Sequence, residues 1–463
     1  MAYSNPTATM LDVLDDVTFA KLLGRPLTKI KSMFPSHSSA FESLSKTQLQ
    51  IEAGDENSYV RVCKAFTNVS REVHKVLCGE LQASRSCSIV STLSLPAPPG
   101  ASAPAPTPTP APPPVQATPA EQTQRYKRSK PGEVPLKEIV FHSTHAKPPA
   151  AHPSSSACGP DGVAVERSYL DGVLKEQAKK NIPEDADPLN SVINWPYVKA
   201  TMEIKPQLAI KAQPEVGKAT ISSVSQNVTG ADLSKRQGYG YALMLLAARP
   251  ERTTVTNINM TAERFQLVIC NAIGVVVSRW MQWDDYESRV MFCAWLVCLH
   301  SSPPEWRDVS INPHGEIGEV HYTFPDTPGI PDTLKFKLTT SRVAFGRRTS
   351  VFVDTKHETV VKEQYVPEWR KDNEATMLKK LKGIPGVIKL FGSQTDLCSV
   401  TFGEGEGMQK RHKVRLYMEY GGSGFLEAES LDEAVRATYD LIEGQYRSIH
   451  SSGRQFVAYD RSQ

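Results

Sequence analysis

A run rich in proline, alanine and threonine near residue 100 constrains the fold of this chain more than any other feature. Between Pro96 and Pro119, proline recurs at intervals of one to five residues. Proline fixes φ and lacks an amide donor, so the run disfavours both helix and sheet. Few of its side chains can be buried, so nothing offsets the entropy lost on ordering. We therefore predict a disordered Pro/Ala-rich linker over residues 91–165, which divides the chain.

Length and charge set the class of protein. A chain of 463 residues exceeds one typical domain, so we expect two or three units. Its 53 basic and 50 acidic residues give a net charge of +3, which favours neither nucleic acid nor a membrane as partner. The amino terminus lacks the apolar segment of a secretory signal, and the eight cysteines form no C-x-x-C pair. These features predict an intracellular protein, cytoplasmic or nuclear, with reduced thiols.

Residues 1–90 show helical periodicity. Apolar residues recur at spacings of three and four from Met10 to Leu22, and again from Tyr59 to Leu77. The pattern predicts a helical region, either a small bundle or an interaction arm that contacts protein partners. It carries no residues typical of catalysis.

Strand and helix patterns alternate after the linker, which predicts an α+β fold class. We divide this part into an α+β domain over residues 166–325 and a second unit over residues 326–463. Strands are predicted at 194–204, 265–273, 275–281, 336–343, 349–354 and 359–364. Helices are predicted at 237–248, 289–300, 367–382 and 430–450.

The second unit contains the parts of a phosphoryl-transfer lobe in their usual order. Such a lobe needs a glycine-marked hairpin over the phosphates, a lysine on a following strand and a glutamate on the next helix to hold that lysine. Gly346 lies between two strand patterns, Lys362 ends a β-branched strand, and Glu374 falls on the second turn of the helix after it. Further on, a strand runs through Met418 into two glycines, which is typical of a hinge.

Three further sequence segments occur in the order M-E-I-K-P at 202–206, R-Q-G-Y-G-Y at 236–241 and K-K-L-K-G-I-P-G-V at 379–387. Together, residues 190–463 resemble the fungal-type protein kinase family of filamentous fungi. The resemblance implies a protein-kinase-like N-lobe, made of an antiparallel sheet and an αC-type helix, followed by the start of a C-lobe. It also implies ATP-dependent Ser/Thr phosphorylation with ATP and Mg²⁺. The residues that it implies for catalysis are Lys362, Glu374 and Asp460, and those for nucleotide binding are Gly346, Thr349, Lys362, Met418, Glu419 and Tyr420.

This chain departs from the family pattern at two motifs. The G-R-G-T loop of the family is G-R-R-T here, and a side chain at Arg348 is expected to obstruct close approach of the backbone to phosphate. The H-R-D-I-S catalytic loop is A-Y-D-R-S at 458–462, and neither the metal-binding asparagine nor D-F-G follows Asp460. We therefore expect an incomplete or degenerate kinase. The alternative is a pseudokinase, a module that contacts protein partners through its exposed interlobe face without catalysis.

A metal-dependent nuclease-like domain at 190–320 is a further alternative. Glu203 and Lys205 form an E-x-K on a predicted strand, in which a carboxylate holds Mg²⁺ and a lysine orients the attacking water. Asp187 supplies an upstream acid, and Gln237 begins the following helix. The arrangement resembles the core of restriction-type nucleases and implies a restriction-nuclease-like fold for this domain. The competing interpretation is a structural salt bridge at a strand end.

Overall fold

Two β-sheets organise the chain, and the α+β class is confirmed. The structure is a computed structural model. It describes residues 10–23, 26–36, 38–44, 56–92, 136–144, 149–152, 159–179, 193–205, 230–315, 319–325, 327, 329–342, 346–356, 358–384, 387–402 and 409–420. The predicted helix at 430–450 lies outside these residues, as does most of the predicted linker.

The first sheet is mixed and has the strand order β1-β7-β6-β5-β4-β3-β2, with β8 paired to β6. β2, β3 and β4 form an antiparallel meander, whereas β4 and β5 are parallel and therefore need a crossover connection, which contains α5. The strands of this sheet are β1 (Met10–Leu14), β2 (Ile139–Ser143), β3 (Gly162–Glu166), β4 (Ala200–Ile204), β5 (Thr254–Met260), β6 (Arg264–Asn271), β7 (Val275–Ser278) and β8 (Met281–Gln282).

Helices cover both faces of the first sheet. The helices are α1 (Asp16–Leu22), α2 (Leu27–Met33), α3 (Glu56–Thr92), α4 (Arg167–Lys179), α5 (Gly230–Ala248), α6 (Tyr286–Ser301) and, on the second sheet, α7 (Asn373–Lys380). None of those in the described part of the chain is long and apolar enough to cross a membrane. On one face, Phe66 of α3 is fully buried against the rings of Phe141, Trp283 and Phe292. Burying one such side chain contributes ~1.5–3 kcal/mol, so this aromatic group is a major part of the core.

α5 covers the opposite face, and a glycine sets its distance from the sheet. A Cβ built on Gly238 would lie 1.8 Å from Asn259 Oδ1 and 2.9 Å from Asn257 Nδ2, both in buried side chains of β5. Gly240, two residues further along the same helix, has nothing within 4 Å of such a Cβ. Only Gly238 is therefore required for close packing of this helix.

This pair of glycines gives a prediction with an internal control. Alanine stabilises a helix by roughly 0.5–1 kcal/mol relative to glycine, so Gly240→Ala should raise the free energy of unfolding by that amount. Gly238→Ala should instead lower it by ~1–3 kcal/mol, because the added methyl group overpacks a buried contact. Urea unfolding of both variants measures the effects. Equal stabilisation by the two substitutions would show that α5 does not approach β5 this closely.

The structure corrects three predictions for the first 165 residues. Residues 10–14 follow a helical pattern in the sequence, but they form β1, because the edge of β7 offers backbone groups for parallel pairing. The predicted linker also extends too far, since β2 and β3 both lie within it. Their apolar side chains are buried in the sheet, which offsets the entropy lost on ordering. Residues 1–90 do not form a separate bundle either, because α3 packs on β2 and α6.

The second sheet is antiparallel and has the order β14-β16-β13-β12-β11-β10-β9, with β15 paired to β16. β9 and β10 belong to it, although the predicted boundary at residue 325 assigned them to the preceding domain. The strands are β9 (Asn312–His314), β10 (His321–Thr323), β11 (Phe336–Arg342), β12 (Thr349–Asp354), β13 (Thr359–Val366), β14 (Leu390–Gln394), β15 (Ser399–Phe402) and β16 (Gln409–Glu419).

A buried network of charges joins the second sheet to the segment after α6. Lys413 of β16 lies 2.7 Å from Asp308 and 2.6 Å from Glu363 of β13. The guanidinium of Arg415 lies 2.5 Å from Glu363, and its other donors reach Thr327 and Ser310. Although burial opposes it, the Lys413 ammonium holds the pKa of Asp308 down to about 2. Two cations and two carboxylates therefore neutralise one another inside the molecule.

Candidate functional site

The ion pair predicted between Lys362 and Glu374 is present in the structure. Lys362 lies on β13, and its Nζ is 2.5 Å from Oε1 of Glu374, in the first turn of α7. Gln364, two residues further along β13 on the same face, donates its amide to the other oxygen, Oε2, at 2.6 Å. Both oxygens of Glu374 are thus held, and the lysine head group is fixed above the sheet while remaining partly exposed.

An apolar cluster lies next to this ion pair, on the side toward Glu419 at the end of β16. Met418 is opposite Val360 in the β13–β16 register, as Leu416 is opposite Lys362. Ala375 of α7 packs against this surface. Since paired residues point to the same face of a sheet, Met418 and Lys362 share the face that α7 covers. The sequence predicted Met418 beside an adenine, and the structure places it in a buried apolar surface next to Lys362.

The backbone of Glu419 and Tyr420 was also predicted to face an adenine. Both amides already donate within the sheet, at 2.9 Å each, Glu419 to the carbonyl of Lys389 and Tyr420 to that of Glu358. Neither amide can then donate to a base, so only carbonyl groups of these two residues could contact one. Asp460 and every residue after Tyr420 lie outside the described part of the chain.

The hairpin between β11 and β12 contains Gly346 and Thr349, and a single arginine anchors it. Arg348 is 2% exposed, and its guanidinium donates to the carbonyls of Leu246 (2.6 Å), Arg249 (2.9 Å) and Arg252 (2.6 Å) at the C-terminal end of α5. The sequence predicted that this side chain would obstruct a phosphate. Instead the side chain points toward the C-terminal end of α5, because the end of a helix offers carbonyl groups to a cation.

Gly346 itself has φ of +73°, a conformation that favours glycine, and its amide donates to the carbonyl of Ala272 at 2.8 Å. Thr349 is the first residue of β12 and pairs with Arg342. The hairpin is therefore held at two points, by Gly346 to the residue that follows β6 and by Arg348 to the end of α5. These contacts oppose movement of Gly346 and Arg348 relative to α5 and β6.

A groove of about 540 Å³ lies between the end of α7 and β14. Its lining includes Leu378, Lys382, Ile388 and Phe391, and none of the residues predicted to bind nucleotide. Three lysines also line it, so its lining combines apolar and positively charged side chains.

The nuclease-like residues are only partly brought together. Asp187 lies outside the described residues, and Gln237 is exposed on α5. Glu203 is 1% exposed at the end of β4 and forms an ion pair with Lys205. The acid beside Glu203 is Asp161, whose Oδ2 accepts from the amide of Ile204 at 2.7 Å. Burial raises the pKa of Glu203 to about 8, and the charge of Asp161 adds to this against the opposing effect of Lys205.

Asp161 was not predicted as a site residue, because it lies in the range assigned to the linker. A signal was available, since Asp161 precedes the short apolar run of β3 and the glycine that starts that strand. The nearby proline-rich run led to the whole segment being assigned to the linker.

A second cluster of ionisable groups lies at the start of β16. His412 Nε2 is 2.5 Å from Glu368, its Nδ1 is 2.8 Å from Asp396, and the ligand atoms of the three residues lie within 4.8 Å of one another. Lys371 Nζ contacts the same two carboxylates at 2.6 and 3.1 Å. The lysine already forms ion pairs with both exposed acids, and the two carboxylates contact opposite nitrogens of one ring. The cluster is therefore better described as an ion network than as a metal centre.

Comparisons with protein-family models, with curated proteins and with solved structures found no match to this chain. The function is therefore argued from the geometry of the two sites.

Proposed function

We propose that the second sheet and α7 form a protein-kinase-like N-lobe that binds ATP, in a chain whose catalytic-loop sequence departs from the pattern of the family it resembles. The ion pair between Lys362 and Glu374 carries this proposal. A lysine on the third strand of such a lobe, held by a glutamate of the following helix, is the device that neutralises the phosphates of ATP.

The order of the strands supports the same proposal. In sequence order, β11, β12 and β13 are followed by α7, β14, the short β15 and β16. In space, the five longer strands are arranged β14-β16-β13-β12-β11. Lys362 is thereby placed on the central strand, α7 crosses the face that carries it, and the last strand leads to the hinge sequence at Met418. This agrees with the arrangement implied by the family resemblance.

Within this lobe the residues have distinct roles. The Lys362 ammonium would neutralise phosphate oxygens, and Glu374 and Gln364 hold it in position. Met418 and Val360 would contact a base through apolar surface. Glu374 does not fit as a Mg²⁺ ligand, because both its oxygens already accept from Lys362 and Gln364. We therefore assign no metal ligand in this lobe and no step of phosphoryl transfer.

An interaction module without catalysis is the second candidate. The anchored hairpin favours it, because Arg348 and Gly346 hold the loop to the end of α5 and to the residue after β6, whereas a hairpin that closes over phosphates needs freedom to move. The amides of Glu419 and Tyr420, which already donate within the sheet, favour it as well.

ATP binding by the full chain, measured by calorimetry with Mg²⁺, separates the two candidates. We expect the wild type to bind and Lys362→Met to bind at least about tenfold more weakly, since a hydrogen bond between charged groups contributes ~1.5–3 kcal/mol. Lys371→Met serves as the control. Lys371 lies just before α7 and, like Lys362, forms ion pairs, but its partners are Glu368 and Asp396.

Circular dichroism of each variant establishes that it is folded. Binding that is lost in Lys362→Met and retained in Lys371→Met supports a nucleotide site. Absence of binding by the folded wild type at millimolar ATP would rule that site out and leave the interaction module.

A further inference from the structure

A small cavity of about 20 Å³ lies at the end of the first sheet where β4 and β5 begin. Three basic residues line it: Lys199, which precedes β4, Arg249, which follows α5, and Arg252, three residues further on. The side chains of these residues are 12%, 7% and 11% exposed, respectively. Three positive charges are therefore held out of bulk water around one enclosed space.

The carboxylates that contact these residues are fewer than the cations. Glu166 lies 2.5 Å from Lys199, but a second lysine shares it at 3.4 Å. Glu251 lies 2.7 Å from Nε of Arg249 and only 4.0 Å from that of Arg252. Within the described part of the chain, two carboxylates thus form ion pairs with four cations. The balance of charge around the cavity is positive.

Arg252 is the most weakly paired of the three basic residues. Its guanidinium donates to the hydroxyl of Ser302 at 3.4 Å, a long hydrogen bond, and its distance to Glu251 is also long. Arg249, by contrast, donates to the carbonyl of Val198 at 2.6 Å as well as to Glu251. A guanidinium has five N–H donors, and enclosing it without acceptors is costly. Arg252 therefore has donors available to a ligand in the cavity that it lines.

The helix ends near the cavity do not offset this positive charge. Helix C-termini carry partial negative charge, and both α5 and α6 end here. At α5, the carbonyls of Leu246 and Arg249 accept from Arg348, and at α6 the carbonyl of Cys298 accepts from the amide of Ser302. Arg348 also brings a further buried cation to the same end of α5. The excess of positive charge therefore persists.

The basic residues destabilise one another's charged forms. Burial lowers the pKa of Lys199 to about 7, and repulsion by Arg249 and Arg252 contributes to the shift despite the contact with Glu166. Burial and the charge of Arg249 likewise lower the pKa of Arg252 from its ordinary value. A negative ion in the cavity would stabilise both cations, because opposite charges favour the charged form.

We propose that the cavity binds a single halide ion, chloride, through the guanidinium of Arg252 and the ammonium of Lys199. A cavity of this volume holds about one water-sized particle, so it admits a monatomic ion and excludes a phosphate group. The bound anion supplies the negative charge that the two carboxylates lack. The site belongs to the first sheet and is independent of the proposed nucleotide site on the second.

Nuclear magnetic resonance of chloride serves as the probe, because a bound ion broadens the resonance of the free ion in exchange with it. We expect the full chain to broaden this resonance and bromide to reverse the effect by competition. Arg252→Met should weaken binding at least about tenfold, since it removes hydrogen bonds from a charged donor. Arg279→Met is the control, because Arg279 also pairs with a carboxylate, that of Asp16, but is half-exposed and outside the cavity. Competition by phosphate would overturn the assignment to a monatomic ion.

Thermal unfolding separates a loss of binding from a loss of folding. In gluconate, an anion too large for the cavity, Arg252→Met should be at least as stable as the wild type, since it removes a poorly paired buried cation. Replacing gluconate with chloride at constant ionic strength should raise the unfolding temperature of the wild type and of Arg279→Met, but not of Arg252→Met. A wild type that responds to chloride in neither measurement would overturn the proposal. An equal response of the wild type and Arg252→Met would do the same.

Discussion

Replacing Glu363 with alanine should lower the free energy of unfolding by about 3–5 kcal/mol, because it leaves buried charges without a partner. Glu363 is 1% exposed, and its two oxygens lie 2.6 Å from Lys413 and 2.5 Å from Arg415. Without it, Asp308 alone faces two buried cations. Neither cation can turn to water, since both side chains are almost wholly enclosed.

Urea unfolding at neutral pH measures this loss, and Glu368→Ala provides the matched control. Glu368 also forms ion pairs on the second sheet, with Lys371 and His412, but its side chain is 60% exposed. Exposed pairs contribute only ~0–1 kcal/mol, so this variant should remain close to the wild type. A similar, small loss in both variants would show that water reaches the Glu363 network.

His300 should make the protein sensitive to mild acid. This residue of α6 is fully buried, with Nδ1 2.6 Å from the carbonyl of Lys137 and Nε2 3.0 Å from that of Ser70 on α3. Burial lowers its pKa to about 4 from the ordinary 6.5. Between these values the unfolded chain binds a proton that the folded protein does not. The contribution of neutral His300 is therefore complete above pH 6.5 and is lost as the pH falls to 4.

The pKa difference corresponds to roughly 3 kcal/mol of free energy of unfolding. Other groups also titrate in this range, so the comparison is between the wild type and His300→Gln. At pH 7 the variant should be the less stable, because it loses the contacts between α6 and α3. By pH 4 the difference should have shrunk by about that roughly 3 kcal/mol. Parallel pH curves from urea unfolding would show that His300 is not held in its neutral form.

Elements with strong local signals could be predicted from the sequence. β12 has the predicted bounds, and α6 follows its apolar run, starting after Asp285, whose side chain accepts from the amide of Ser288. The pairing of Lys362 with Glu374 followed from motif order. These features depend on residues near one another in sequence, where periodicity and capping act directly.

Features that depend on distant partners could not be predicted. β1 is a strand because β7, more than 250 residues later, pairs with it, and Asp161 matters because strand register places it opposite Glu203. The direction of Arg348 was predicted wrongly for the same reason, since its acceptors lie about a hundred residues earlier, at the end of α5. The proline-rich composition near residue 100 also led to β2 and β3 being assigned to the linker. These two strands are stabilised by burial in a sheet that later segments of the chain complete.

The anchorage of Arg348 bears on how such a chain can be assembled by gene fusion. Recombination that moved the second sheet to another protein would carry Arg348, Lys413 and Arg415 away from the carbonyls of α5 and from Asp308. The transferred lobe would then hold Arg348 without its carbonyl acceptors, and Lys413 and Arg415 with Glu363 as their one remaining carboxylate partner. The two sheets are consequently expected to be inherited as one unit, with exchange of parts confined to the segments outside both.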